Sequence, residues 1–341
     1  MAASARSIDS LGSRGGSGPT LRARSLKFVL TLARRKTMGF ICLLVLLFML
    51  VVAAFPGAFA TYDPGADAGG RYKKYCLGPS GTFLCPDKVE PGITIAGRVI
   101  TEASVLKGDH STPLGTDQLG RDTYSRIVWG ARVAVQVGFG AVLLSSLISL
   151  TIGVSSGYFG GRYDMVLQRF VDAMMSFPPL VVLLALPNMI GGPSVPKLIG
   201  ILGVLGGVGG SRVIRSSVIG LRSLQYVDAA RTIGATDVRI MVRHLLPNIF
   251  GPLMVQATIG LGATILAEAG LSFLGLGVQS NSHPTWGYML NLGRAVAVEE
   301  PWQAIWPGLA IAIVVFSINM LGDALRDLLD PRLRGARGNF G

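Results

Sequence analysis

The stretch Tyr226 to Asn248, YVDAARTIGATDVRIMVRHLLPN, is a polar, helix-forming island between two long apolar runs, and its reading organises the rest of the chain. Ala229 and Ala230 are strong helix formers without side-chain bulk, so a helix carrying them can lie close against another backbone. Gly234 supplies the left-handed turn that ends this first short helix. Thr236 is placed to N-cap a second helix, in which Val238, Met241, Val242 and Leu245 recur at i, i+3, i+4 and i+7 as one apolar stripe. Arg239 and Arg243 fall on another face. Pro247 lacks an N–H and pushes Leu246 away from helical geometry, so this helix is expected to stop there, before apolar sequence resumes. Two short helices, a bend and a stop make a compact knob. An amphipathic interfacial helix between two membrane spans has much the same composition, and composition alone does not separate the two.

Half of the 341 residues are hydrophobic, 15% are charged and mean hydropathy is +0.52, the profile of a multi-span membrane protein. A helix needs about 20 mostly apolar residues to cross the hydrocarbon core. No charge occurs between Lys36 and Asp63, from Val133 to Gly161, from Ala173 to Pro196, or from Pro301 to Gly322. Leu198 to Leu221 is interrupted by Arg212 and Arg215 near one end, from which long basic side chains can snorkel to headgroups. Ile249 to Val278 contains Glu268 and still reads as a span. The expected protein is all-α and polytopic, with six transmembrane helices. A basic, largely disordered tail occupies 1–36, the first helix 37–60, an extracytoplasmic segment 61–130, a five-helix core 131–327 that includes the 226–248 island, and a second tail 328–341. Arg34-Arg35-Lys36, the apolar run after it and Ala58-Phe59-Ala60 also have the form of a signal peptide, but a positive region of 36 residues is too long for one.

Orientation follows from Lys and Arg. With the N-terminus inside, the cytosolic segments carry 20 of the 31, while the short outer loops hold only Lys197 and Arg294. The long outer segment has eight basic and eight acidic residues, and segments of that length translocate largely regardless of charge. Both termini and the island are therefore expected in the cytosol. Topology and anionic membrane lipid account for the net charge of +12, which leaves little for a nucleic acid to explain.

Asp228-Ala229-Ala230, Gly234-Ala235 and Leu246-Pro247 resemble, in residue type and spacing, the EAA loop of ATP-binding-cassette importer permeases. Asp stands for the usual Glu, and His244 where Ile is frequent. PLGTDQLGRDTYSRIVWGAR at 113–132, GYFGGRYD at 157–164, LAEAGLSFLGLG at 266–277 and LGDALRDLLDPRLR at 321–334 resemble the dipeptide, oligopeptide and nickel branch, in its C-type subunit. The resemblance covers most of the chain from Pro113 onward. It implies the type I ABC importer permease fold, with an extracytoplasmic insertion after the first helix. It also implies that Asp228, Ala229, Ala230, Gly234, Ala235, Leu246 and Pro247 dock a motor ATPase. The implied partners are a homologous permease subunit in a heterodimer, two cytosolic ATP-binding-cassette ATPases and an extracytoplasmic binding protein that delivers peptides, nickel chelates or another small solute.

Catalysis is not expected of this chain. Gly206-Gly207 and Gly209-Gly210 lead into Ser211-Arg212 without the Lys of a phosphate loop, so ATP and Mg belong on partner subunits. Those glycines instead let the fourth span pack closely on a neighbour. The three His lie far from one another and from the Cys pair, so no cofactor or metal is expected here. An ion-driven secondary transporter is the main rival, but no internal repeat is visible and Glu268 is the one mid-span charge. A membrane anchor for an outer domain would need a core in 61–130, where Gly and Pro are many and apolar runs few.

Four further expectations concern particular residues. Glu268 either lines the translocation path and holds a peptide's ammonium group, or is a carboxylate hydrogen-bonded within the bundle or solvated near the outer interface. Cys76 and Cys85, separated by the turn-forming Gly78-Pro79-Ser80-Gly81, are expected to form a disulfide outside the cytosol, two unpaired thiols being the alternative. Asp122 is placed to N-cap a helix from Thr123, with Tyr124 and Trp129 as interfacial anchors. Asp172 is expected to pair with Arg169 or Arg162.

Overall fold

The structure is a computed structural model that describes residues 37–63, 113–117, 121–278, 283–298 and 300–329, and the backbone of three short strands within 73–102. Helix α1 (Thr37–Ala54) is apolar on every side and is followed by a single turn, α2 (Pro56–Phe59), because Pro56 has no N–H to continue the ladder. Helix α3 (Thr123–Phe159) starts at the expected cap: the Asp122 carboxylate accepts from the Tyr124 N–H at 3.3 Å and the Ser125 N–H at 2.9 Å. At 37 residues α3 is about 55 Å long, well beyond the hydrocarbon core. There follow α4 (Gly161–Met175), α5 (Pro179–Met189), α6 (Val195–Arg222), α7 (Gln225–Thr232) and α8 (Asp237–Ile240). A π-turn at Met241–Leu245 joins α8 to α9 (Leu246–Phe273), and α10 (Trp286–Ala295) and α11 (Trp302–Leu329) complete the order.

Among the described residues five helical segments are long and apolar enough to cross a membrane, and α4 with α5 makes a sixth if the bent pair counts as one. That pair corrects the third expected span. In place of one helix from Ala173 to Pro196, α4 and α5 meet at 79°. Pro178 and Pro179 follow one another at the bend, and the residue before a proline is driven out of helical geometry. The first helix of the pair also begins earlier than the expected span, at Gly161, and carries Arg162, Asp164, Arg169 and Asp172.

The main helix pair is α3 on α6, and it is built on glycine. A Cβ on Gly207 would stand 2.6 Å from Ile148 Cβ and 3.0 Å from the Ser145 carbonyl, and one on Gly153 would stand 2.7 Å from the Ser211 carbonyl. Backbones that approach this closely meet across glycine as the 206–210 run predicted, and Ser149 Oγ donates to the Gly207 carbonyl across the seam at 3.0 Å.

At one end of the seam Val154, Tyr158, Ile214 and Val218 pack on Val227, Ala230, Ile240, Leu245 and Ile249. This is the loop end. At the far end Met49 and Val52 of α1, Val128 and Ala131 of α3, Ile265 and Ala269 of α9, Trp286 of α10 and Ile311 of α11 form a second core. Thr61 and Tyr62 both donate N–H groups to Ser125 Oγ at 3.0 Å, which fixes the exit of α1 to the far end. Helix directions then put Thr37 and Leu329 at the loop end.

The segment between α2 and α3 contributes a three-stranded antiparallel sheet in the order β2-β1-β3, from β1 (Lys73–Gly78), β2 (Gly81–Leu84) and β3 (Ile100–Glu102). Among the described residues it is the one sheet, all other regular elements being helical. Gly78 pairs with Gly81 across the expected turn and Cys76 with Phe83. Cys85 lies outside the described residues, as do both tails.

Candidate functional site

The 225–248 loop is anchored by its small and β-branched residues and presents the rest. In α7, Val227 and Ala230 are buried in the loop-end core while Asp228 and Ala229 point outward. The helix ends as the sequence predicted. Gly234 takes φ +79°, its N–H donates to the Arg231 carbonyl at 2.9 Å, and the Ala235 N–H to the Ala230 carbonyl at 3.0 Å. Those two bonds satisfy the last carbonyls of the helix. Thr236 occupies the N-cap of α8 in extended backbone, with no side-chain capping bond.

Two expectations for the second half of the loop are corrected. Leu246 is helical, at φ −54° and ψ −45°, and Pro247 sits in the first turn of α9, so the helix does not stop there. The wider turn at Met241–Leu245 makes room for a proline ring that would otherwise strike the carbonyl four residues back. The extra residue in that turn also shifts the phase of the helix. Ile240, Leu245 and Ile249 form the buried face, and Val238 and Val242 of the expected stripe are 66% and 58% exposed. With Ile233, 84% exposed, they leave the loop an outward apolar surface among Arg231, Arg239 and Arg243.

Polar contacts tie the loop to the ends of α3, α4 and α6. The Tyr158 hydroxyl donates to Asp237 Oδ1 at 2.5 Å, Arg222 donates to the Tyr158 carbonyl at 2.9 Å, and the Arg231 guanidinium lies 5.5 Å from the Tyr158 ring centre. Asp164 accepts from Arg215 Nε at 2.7 Å and Nη2 at 2.5 Å, and also from Ser156 Oγ. Asp172 pairs with Arg212 at 2.5 Å, and not with Arg169 or Arg162. Both arginines of the fourth span thus reach α4, because α4 packs along α6 and offers carboxylates within reach.

Above the loop a groove of about 860 Å3 runs between α3, α5, α6 and α9. Leu183, Leu205 and Val255 supply apolar wall, Ser145, Gln256 and Thr264 supply hydroxyl and amide, and Arg326 at the loop end is the one formal charge among its lining residues. Gln256 reaches across to α3, its Nε2 donating to Ser149 Oγ at 3.0 Å.

The family model for the binding-protein-dependent transport system inner membrane component matches residues 149–335, which take in the loop and most of the groove. The chain belongs to this family. It is 41% identical over 285 residues to the dipeptide transport system permease protein DppC of Alkalihalophilus pseudofirmus, covering 81% of this chain and 92% of that one. DppC of Bacillus subtilis is 39% identical over 74% of this chain and 77% of its own length. The glutathione transport system permease protein GsiD of Pectobacterium atrosepticum is 37% identical over 65% and 73%. In fold the chain is similar to a subunit of the inward-facing MetNI methionine ABC transporter, with a TM-score of 0.50, 19% identity, and coverage of 60% of this chain and 96% of that one. It is thus a multi-pass inner-membrane permease subunit, with transport as its role and no catalytic one.

In this permease Glu268 is 2% exposed and lies outside the groove lining, whose wall holds its neighbours Thr264 and Ala267. Its carboxylate accepts from Ser272 Oγ at 2.7 Å, with the Thr285 hydroxyl as a second partner, so it ties α9 to the approach to α10. Sequence reasoning named neither Gln256 nor Tyr158. A lone amide within an otherwise apolar span was the available sign of the first, and the second stood in the quoted GYFGGRYD turn.

Proposed function

We propose that this permease is the C-type subunit of an ATP-driven importer that passes dipeptides and short oligopeptides along the α3–α6–α9 groove. The groove's lining carries this reading: away from Arg326 at the loop end, hydroxyls and one amide in an apolar wall can exchange hydrogen bonds with any peptide backbone and offer no charge that would select a side chain. The glutathione permease among its relatives handles a tripeptide, which falls in the same class. A homologous permease would close the open side of the groove, two ATPases would supply the energy, and an extracytoplasmic binding protein the selectivity. The excess of Lys and Arg in the loop and tails supports a cytosolic position for both termini and for the loop. There Asp228, Ala229 and Gly234, with Ile233, Val238 and Val242 exposed beside them, form the surface offered to an ATPase. Leu246 and Pro247, also exposed, extend that surface, and Ala235 packs on the loop-end core beneath it.

The test is uptake into proteoliposomes holding the assembled transporter and its binding protein. ATP-dependent accumulation of labelled di- and tripeptides is expected, and transport confined to a nickel chelate would overturn the assignment. In the same assay Glu268→Gln is expected to lower uptake of peptides with free and with blocked amino termini by the same factor. A loss confined to the free amines would put Glu268 on the path. The proposed Cys76–Cys85 bridge, which would stabilise its loop by roughly 2–3 kcal/mol, should leave Cys42 as the one thiol labelled under denaturing, non-reducing conditions. Three labelled thiols per chain would refute it.

A further inference from the structure

Three elements of the loop end converge on one residue. Tyr158 sits in the last turn of α3 and is 4% exposed. Its hydroxyl is bonded to Asp237 at the start of α8, its carbonyl to Arg222 at the end of α6, and its ring lies against Arg231 of α7. Helices α6 and α9 are continuous in sequence with the loop and must follow it. Helix α3 is not: 79 residues separate Tyr158 from Asp237. Directional bonding between α3 and the loop therefore runs through this residue, added to the apolar contacts of Val154 and Tyr158 with Val227 and Ile240.

The rest of α3 is suited to carrying a displacement. It runs 37 residues without proline or π-turn, and its other end is held at several points. Trp286 Nε1 donates to the Ile127 carbonyl at 2.9 Å, and a Cβ on Gly130 would come within 2.7 Å of the same indole. Asp122 caps the first turn, and Ser125 receives the chain leaving α1. On the loop side the chain after Tyr158 passes through Gly160 and Gly161, at φ +66° and +56°, a turn at which α4 departs in a new direction. We propose that Tyr158 is a positioning residue for transport, through which movement of the 225–248 loop is delivered to α3 and so to the far end of the permease. Movement at the far end would reach the loop by the same route. This inference rests on the loop being the ATPase dock.

Tyr158→Phe tests it, because the ring stays under Arg231 and only the hydroxyl is removed. The assay is ATP hydrolysis by the complete transporter in nanodiscs, with and without substrate-loaded binding protein. Tyr158→Phe is expected to assemble, to keep basal hydrolysis, and to lose about tenfold in stimulation, the worth of one hydrogen bond to a charged acceptor. Asp237→Ala should do the same, and the double variant should be no worse than either single one. Unchanged stimulation in Tyr158→Phe, an equal fall in basal and stimulated rates, or additive losses in the double variant would each overturn the proposal. Ile233→Asp separates the two readings. If it abolishes stimulation and Tyr158→Phe does not, the docking assignment stands and this inference fails. If Ile233→Asp is fully stimulated, the docking assignment itself is wrong.

Discussion

Ile233→Asp is expected to leave the permease folded in the membrane and to abolish both its co-purification with the ATPase subunits and substrate-stimulated hydrolysis. Ile233 is 84% exposed beside the left-handed Gly234, with Val238 and Val242 exposed on the helix that follows. Arg231, Arg239 and Arg243 surround them, which makes this a poor surface for hydrocarbon and a good one for a protein groove. A carboxylate placed in the centre of such an interface loses its water without gaining a partner, a penalty of roughly 2–4 kcal/mol. That is enough to remove most of the bound complex. The folded permease should hardly notice, because among the described residues almost nothing covers the side chain. Ala230 makes the contrast: it is 4% exposed in the loop-end core, so Ala230→Asp would break the loop itself and report on folding. Ala229→Asp, outward on the same helix, belongs with Ile233→Asp. Gly234→Pro would distort the knob from within, since proline cannot adopt φ +79° and loses the N–H given to Arg231. Normal co-purification and stimulation in Ile233→Asp would refute the docking surface, and Ala229→Asp should give the same answer.

Features written into short stretches of sequence were legible. Charge-free runs located α1, α3 and α11, apolar runs broken by only one or two charges located α6 and α9, Asp122 announced its cap, and Gly234 its turn, because each is decided by the local chain or by burial in lipid. The failures share a different cause. A proline's missing N–H argues for a stop only while the turn before it is an ordinary one, and the π-turn at Met241–Leu245 is stabilised by Ile240, Leu245 and Ile249 packing on α3 and α6. Apolarity likewise says that 173–196 prefers hydrocarbon, and not that α4 and α5 meet at 79°. Asp172 found Arg212 across the α4–α6 contact because tertiary packing brought that partner nearer than its own helix did. The groove was invisible for the same reason, its lining running from Val142 to Arg326.

Glycine at the α3–α6 seam yields a prediction in which two effects of one substitution oppose each other. In an open helix Gly→Ala stabilises by up to about 1 kcal/mol, because the unfolded chain loses freedom and the helix gains a better former. Gly220, on α6, has nothing within 4 Å of a built Cβ, so Gly220→Ala should raise the thermal midpoint of the purified permease. Gly207, on the same helix, meets Ile148 Cβ at 2.6 Å, its Cγ2 at 2.8 Å and the Ser145 carbonyl at 3.0 Å. A β-carbon and a backbone oxygen cannot rotate away, so the methyl must push α3 and α6 apart. Parting them strains the Ser149 bond to the Gly207 carbonyl and, through Ser149, the Gln256 amide in the groove wall. Overpacking of this kind costs about 1–3 kcal/mol, which exceeds the helix-propensity gain. Gly207→Ala should therefore lower the midpoint, and transport with it, while Gly220→Ala raises the first and leaves the second alone. Equal shifts of the same sign at the two positions would show that the seam is looser than the backbone approach implies.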